Sequence, residues 1–139
     1  MTTNAVDLPE SDRRLDALCF KVIGACIEVH RALGCGFHTR IYHTAIEHEL
    51  VHRNIAFQTQ LPFEVKYRGH IVGEFRVDLV VEDELLVELK TIPQINTHHV
   101  TQTLSYLHNL DLELGLILNF SRPALRDGGI RRVSRTRGT

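Results

Sequence analysis

Two carboxylates and an ammonium group recur at strand spacing: Asp78, then Glu88 and Lys90. These are the residue types that metal-dependent phosphodiester chemistry requires. Alternation over 76–81 sends Val77, Leu79 and Val81 to one side and Arg76, Asp78 and Val80 to the other. Over 85–90 it sends Leu85, Val87 and Leu89 one way and Leu86, Glu88 and Lys90 the other. Both apolar triplets need a core, and a one-residue slip would expose one of them entirely. The implied register pairs Val81 with Leu85, Leu79 with Val87 and Val77 with Leu89 across the connection Glu82-Asp83-Glu84. It sets Asp78 opposite Glu88, their Cβ atoms about 5 Å apart. Carboxylates that close repel unless a cation lies between them. Mg²⁺, or Mn²⁺ in its place, accepts such hard oxygen donors together with water and substrate phosphate. Lys90 would then orient or deprotonate an attacking water, or neutralise the phosphate in the transition state. A plain surface ion pair between Glu88 and Lys90 satisfies the same letters.

The elements that must position these residues follow from periodicity. Apolar residues at three- and four-residue steps predict a helix over 13–33, capped by Ser11 or Asp12 and stopped at Gly34 and Gly36. A second helix is expected over 38–53. The period then becomes two, with strands over 55–61, 63–67, 71–81 and 85–90 and a turn at Arg68-Gly69. A helix over 97–110 and a strand over 114–120 complete an ααβββαβ order. A helical crossover between strands implies a parallel pair, hence an α/β fold with a mixed sheet flanked by helices. The expected division is a leader over 1–10, one domain over 11–121 and an arginine-rich tail over 122–139.

Composition narrows the class. At 139 residues, with 43% hydrophobic residues and a net charge of −1, the chain suits one globular domain and not a wholly basic nucleic-acid binder. No apolar run reaches membrane length and no secretory signal is evident. Cys19, Cys26 and Cys35 form no CxxC pair, which suits a reducing, cytoplasmic setting. Arg126, Arg131, Arg132 and Arg135 concentrate near the end, either as a solvated terminus or as phosphate contacts. His48 and His52 have zinc-ligand spacing but no completing ligand, and read as surface residues.

A longer series of residues is more specific. Ile27-Glu28-Val29-His30-Arg31, Leu33-Gly34-Cys35-Gly36, Phe75-Arg76-Val77-Asp78, Val87-Glu88-Leu89-Lys90, Gln102, Tyr106-Leu107 and Leu118-Asn119-Phe120 resemble, in order, the GxxExxY protein family. That family is a branch of the PD-(D/E)XK nuclease-like superfamily. The resemblance implies a nuclease-type core, Asp78 and Glu88 as metal ligands, Lys90 as the catalytic lysine and Gln102 as an organiser of the site. Tyr106 and His30 take supporting places. One position departs: Thr39 stands where the naming motif has glutamate. Glu28 is the nearest candidate to replace that carboxylate, ahead of His38. Two functions are therefore expected: a Mg²⁺-dependent nuclease acting on nucleic acid, DNA before RNA, weakened by Thr39; or a silent nuclease-like module that binds nucleic acid or forms homo-oligomers.

Overall fold

In the computed structural model, which describes residues 10–135, α1 (Glu10–Leu33) and α2 (Thr39–His52) precede a run of three strands. These are β1 (Phe57–Tyr67), β2 (His70–Val81) and β3 (Leu85–Lys90); α3 (Thr97–Leu110), β4 (Leu114–Asn119) and β5 (Ile130–Ser134) follow. The five strands form one sheet in the order β1-β2-β3-β4-β5. Only β3 and β4 run parallel, as the helical crossover between them requires.

Helical spacing explains what each helix buries. Leu18, Val22, Cys26 and Val29 of α1 and Tyr42, Ile46 and Leu50 of α2 are all buried, each set on one face at steps of three or four. They cover one side of the sheet, together with Leu79, Val81, Leu85, Val87, Leu89, Leu116 and Leu118. The other side holds a smaller core in which Leu107 of α3 meets Leu86, Ile117 and Val133. Gly115 allows α3 to lie this close, since a Cβ there would stand 3.1 Å from Thr103 Cγ2.

β1 is one strand rather than the expected two. It passes through Pro62, whose missing N–H costs little on the sheet's edge. The hairpin turns at Arg68 (φ 52°) and Gly69 (φ 80°), both left-handed, which matches the twist of an antiparallel ribbon.

Within the stretch expected as an arginine-rich tail, β5 forms the fifth strand of the sheet. β5 pairs with β4 from Leu118–Ile130 to Leu114–Ser134, and Leu125 and Val133 are buried. Gly129 sits between two carbonyls, where a Cβ would come within 2.7 Å of Leu125 O and 2.8 Å of Asn119 O. Residues 1–9 and 136–139 lie outside the described residues, so the expected leader is addressed only at Glu10, which already belongs to α1. No helix among the described residues is long and apolar enough to cross a membrane.

Candidate functional site

β2 is one strand, but its ladders and its side-chain alternation are interrupted at one residue. The expected rungs Val81–Leu85 and Leu79–Val87 are present, and the β2–β3 ladder then stops. The expected Val77–Leu89 rung is absent. Val77 packs with Val80 on the α3 side, whereas Leu89 packs on the side of α1 and α2. The β1–β2 ladder also skips a rung between Thr59–Leu79 and Leu61–Val77, and there Gln60 turns left-handed at φ 50°. The flip centres on Asp78.

Side chains take over the missing rungs. The Asp78 N–H donates to Glu88 Oε1 at 3.1 Å, and the Leu89 N–H donates to Asp78 Oδ2 at 2.8 Å. The Asp78 carbonyl accepts from His43 Nε2 at 3.2 Å. Each carboxylate thus reaches across the gap to the opposite strand. Parting the strands places the two acids together and keeps the freed backbone groups satisfied.

Electrostatics bear out this closeness. Glu88 is only 7% exposed. Burial, and then the charge of Asp78, push its carboxyl from the usual range up to about 8, against the opposing pull of the Asp78 N–H and Lys90. The Tyr106 phenol is raised by partial burial and then by the charges of Glu88 and Asp78. His99 is lowered, first by slight burial and then by Lys90 and His98. His99 Nδ1 also accepts from the Asn96 N–H at 3.0 Å in the capping box of α3. Gln102, half-buried, stands one turn before Tyr106 on that helix.

α2 supplies the opposite wall. A cavity of about 410 Å³ is lined by Thr39, Arg40, His43, Glu47, Gln60 and Asp78. His43 Nδ1 lies 3.3 Å from Glu47 Oε2, which fixes the ring that holds the Asp78 carbonyl. Thr39 Oγ1 bonds Thr91 Oγ1 at 2.7 Å, one residue past Lys90. Arg40, His43 and Glu47 were not singled out from the sequence. Thr39, His43 and Glu47 follow at four-residue steps, a single helix face, and this spacing was the available signal.

Other expected residues lie elsewhere. Glu28 is paired with Arg31 at 2.6 Å, and no three of His, Cys, Asp and Glu cluster as a metal site among the described residues. Glu28, the expected substitute carboxylate, is thus engaged by an i,i+3 arginine on α1. His38 caps α2 by accepting from the Arg40 N–H at 3.2 Å. His30 is buried, with Nε2 3.2 Å from Phe120 O, while the Phe120 N–H donates to Lys90 O at 2.8 Å. Asn119, fully buried beside Lys90, brackets Ile92: its Oδ1 accepts from the Ile92 N–H at 3.1 Å and its Nδ2 donates to the Ile92 carbonyl at 2.9 Å.

The arginines divide. Arg132 pairs with Asp16, and Arg135 with Asp111 at 2.9 Å at the end of β4 remote from Lys90. Arg126 and Arg131 are exposed. Arg131 opposes Ile117, which neighbours Glu88, so it lies two strands, about 10 Å, from that carboxylate on one face.

No curated protein matches the chain. Among solved structures, one titled "Crystal structure of SSO0001" is similar at 20% identity and a TM-score of 0.49, covering 72% of this chain and 52% of that one. The chain therefore spans about half the length of that structure. A family model described as PD-(D/E)XK nuclease superfamily matches residues 16–133, nearly the whole described fold. The chain belongs to the PD-(D/E)XK nuclease superfamily.

Proposed function

We propose that the chain is a metal-dependent phosphodiester hydrolase of the GxxExxY branch, acting on nucleic acid, DNA before RNA, in the cytoplasm. Superfamily membership supports a nuclease-like function. The observation that carries the rest is the crossed pair of hydrogen bonds by which Asp78 and Glu88 meet where the β2–β3 ladder stops.

The donor set fits a hard divalent cation. Two neighbouring carboxylates, one nearly buried and holding its proton up to about pH 8, gain most from a cation with oxygen preference. Asp78 and Glu88 would hold Mg²⁺ or Mn²⁺, which when bound supplies Lewis acidity at the phosphate and acidifies a bound water. Lys90, next on the same face, meets the charge that builds on the phosphate and steers the proton of the attacking water. Gln102 orients the acids from α3, Tyr106 limits water on that side, and His30 braces the Lys90 backbone through Phe120. Arg126 and Arg131 contact substrate phosphates. His43 holds Asp78 in place through its carbonyl.

A cleavage assay with Mg²⁺ and with Mn²⁺, comparing wild type, Lys90→Ala and Thr39→Glu, tests this reading. Cleavage by wild type that falls at least about a hundredfold in Lys90→Ala is expected. Equal rates in the two proteins would contradict it.

A second reading has its own support. Thr39, where the resemblance implies glutamate, is occupied with Thr91, and Asp78 and Glu88 gain no third acid among the described residues. On this reading the site is silent, and the module binds nucleic acid or assembles as a homo-oligomer. Because the Thr39–Thr91 bond sets position 39 one residue from Lys90, Thr39→Glu would return a carboxylate to the site. Cleavage by Thr39→Glu alone would establish the silent module.

A further inference from the structure

We propose that the α3-facing side of the β1–β2 hairpin is a stacking track that leads unpaired nucleotides to Asp78 and Glu88. The proposal rests on the nucleic-acid reading of the same site and adds a substrate class: single-stranded nucleic acid.

The hairpin outreaches its sheet. β2 pairs with β3 only over Leu79–Val81, while its pairing with β1 continues to His70. The ribbon from Val77 to His70 spans about 23 Å at ~3.3 Å per residue. Since β2 and β3 are antiparallel, it projects from the end at which Lys90 closes β3. It stands at the mouth of the site.

Its two faces differ in chemistry. The pleat of β1 sends Phe63, Val65 and Tyr67 to the α3 side, opposite Phe75 and Gly73 and, past the register shift between Val65 and Lys66, His70. There Phe63 and Phe75 stack with centroids 5.6 Å apart, and the Tyr106 ring meets Phe63 edge-on at 5.3 Å. Phe63 and Tyr106 pack on the cluster that holds Val77, the chain neighbour of Asp78, so the rings form a row that begins beside the site. Phe75 remains 44% exposed, and Tyr67, nearer the tip, 63% exposed. The Arg68 guanidinium lies 5.6 Å from the Tyr67 centroid. Gly73 keeps the middle of the row low, since a Cβ there would stand 3.2 Å from the Phe75 ring. The ribbon's two acids, Glu64 and Glu74, oppose each other on the other face.

This arrangement selects the occupant. A face without ribbon carboxylates, with Arg68 at its far end and Lys90 at its near end, complements a polyanion. Flat exposed rings engage the faces of bases, which a duplex hides in its own stack and an unpaired strand offers. Single exposed aromatics are ordinary. A row of them on the site face, with the acids turned away, is not.

Fluorescence anisotropy on the full chain tests the track, with metal chelated so that no strand is cut. The probes are a labelled oligo-dT of about 20 nucleotides, long enough for one such groove, and a duplex of equal length. Tighter binding of oligo-dT is expected. Tyr67→Ala, at an exposed ring outside both cores, should weaken it about tenfold. Phe75→Leu, which keeps an apolar group against Phe63 and Tyr106, should also weaken it, and Glu64→Gln on the opposite face should not. Unchanged oligo-dT binding by Tyr67→Ala, preference for the duplex, or no binding by wild type would each overturn the track. So would loss of a dimer in sedimentation by Tyr67→Ala with binding intact, which would make this face a contact between copies. Cleavage separates the two readings: a cutting enzyme indifferent to Tyr67 loses the track alone, and a Tyr67-dependent binder that never cuts keeps the track within a silent module.

Discussion

Glu88 gives the metal-free protein a pH dependence of a particular sign. Its carboxyl titrates near 4.5 in an ordinary setting and at about 8 in the fold. Between those values the folded state holds a proton that the unfolded chain has released. The contribution of Glu88 is therefore fully present below about pH 4.5 and is lost as pH rises through about 8. Thermal melts of metal-free protein across this window should show Tm falling with pH, and Glu88→Gln, which mimics the protonated acid, should flatten that slope. An identical slope in the variant would contradict the buried, coupled site. Thiol accessibility offers an independent check at the same scale. Cys19 and Cys26 are buried, with Cys26 pushed up to about 12 by burial, while Cys35 is exposed. One thiol of the three should react with an aromatic disulfide reagent in the native state, and Cys35→Ser should abolish that signal.

Elements explain what was legible in the sequence and what was not. Apolar alternation specified two rungs of the β2–β3 register because Val81, Leu79, Leu85 and Val87 all need one core. It failed at Val77, because the pleat argument assumes an unbroken strand and β2 flips at Asp78. The flip had no apolar signature: its cause is polar, in the backbone groups that Glu88, Asp78 and His43 satisfy. β5 stayed hidden for another reason. Ile130 and Val133 stand three apart with arginines between them, so period-two alternation is missing from a short edge strand. Its docking depends on Gly129, where a Cβ would collide with backbone rather than with a side chain that could rotate away. Gly129→Ala should cost about 1–3 kcal/mol of unfolding free energy in urea melts. A neutral result would mean that the 120–130 connection yields easily.

At the scale of the molecule, a net charge of −1 leaves nucleic-acid affinity to local groups. Because β5 belongs to the sheet, removing residues 130–134 would damage the fold, so single substitutions are the informative variants. Arg131→Ala and Arg126→Ala should each lower the salt slope of nucleic-acid binding by about 1. Arg132→Ala and Arg135→Ala break ion pairs with Asp16 and Asp111 and should leave it unchanged. The reverse pattern would move the phosphate-binding face to the far end of β4.

The central claim is that the irregularity at Asp78 lets Asp78 and Glu88 share one divalent cation. Calorimetric titration of the purified full chain with Mn²⁺ measures it directly. One site is expected in wild type, weakened by at least about tenfold in Asp78→Ala and in Glu88→Ala, since each removes one of the two charged ligands. No heat from wild type, or equal affinity in all three proteins, would contradict it.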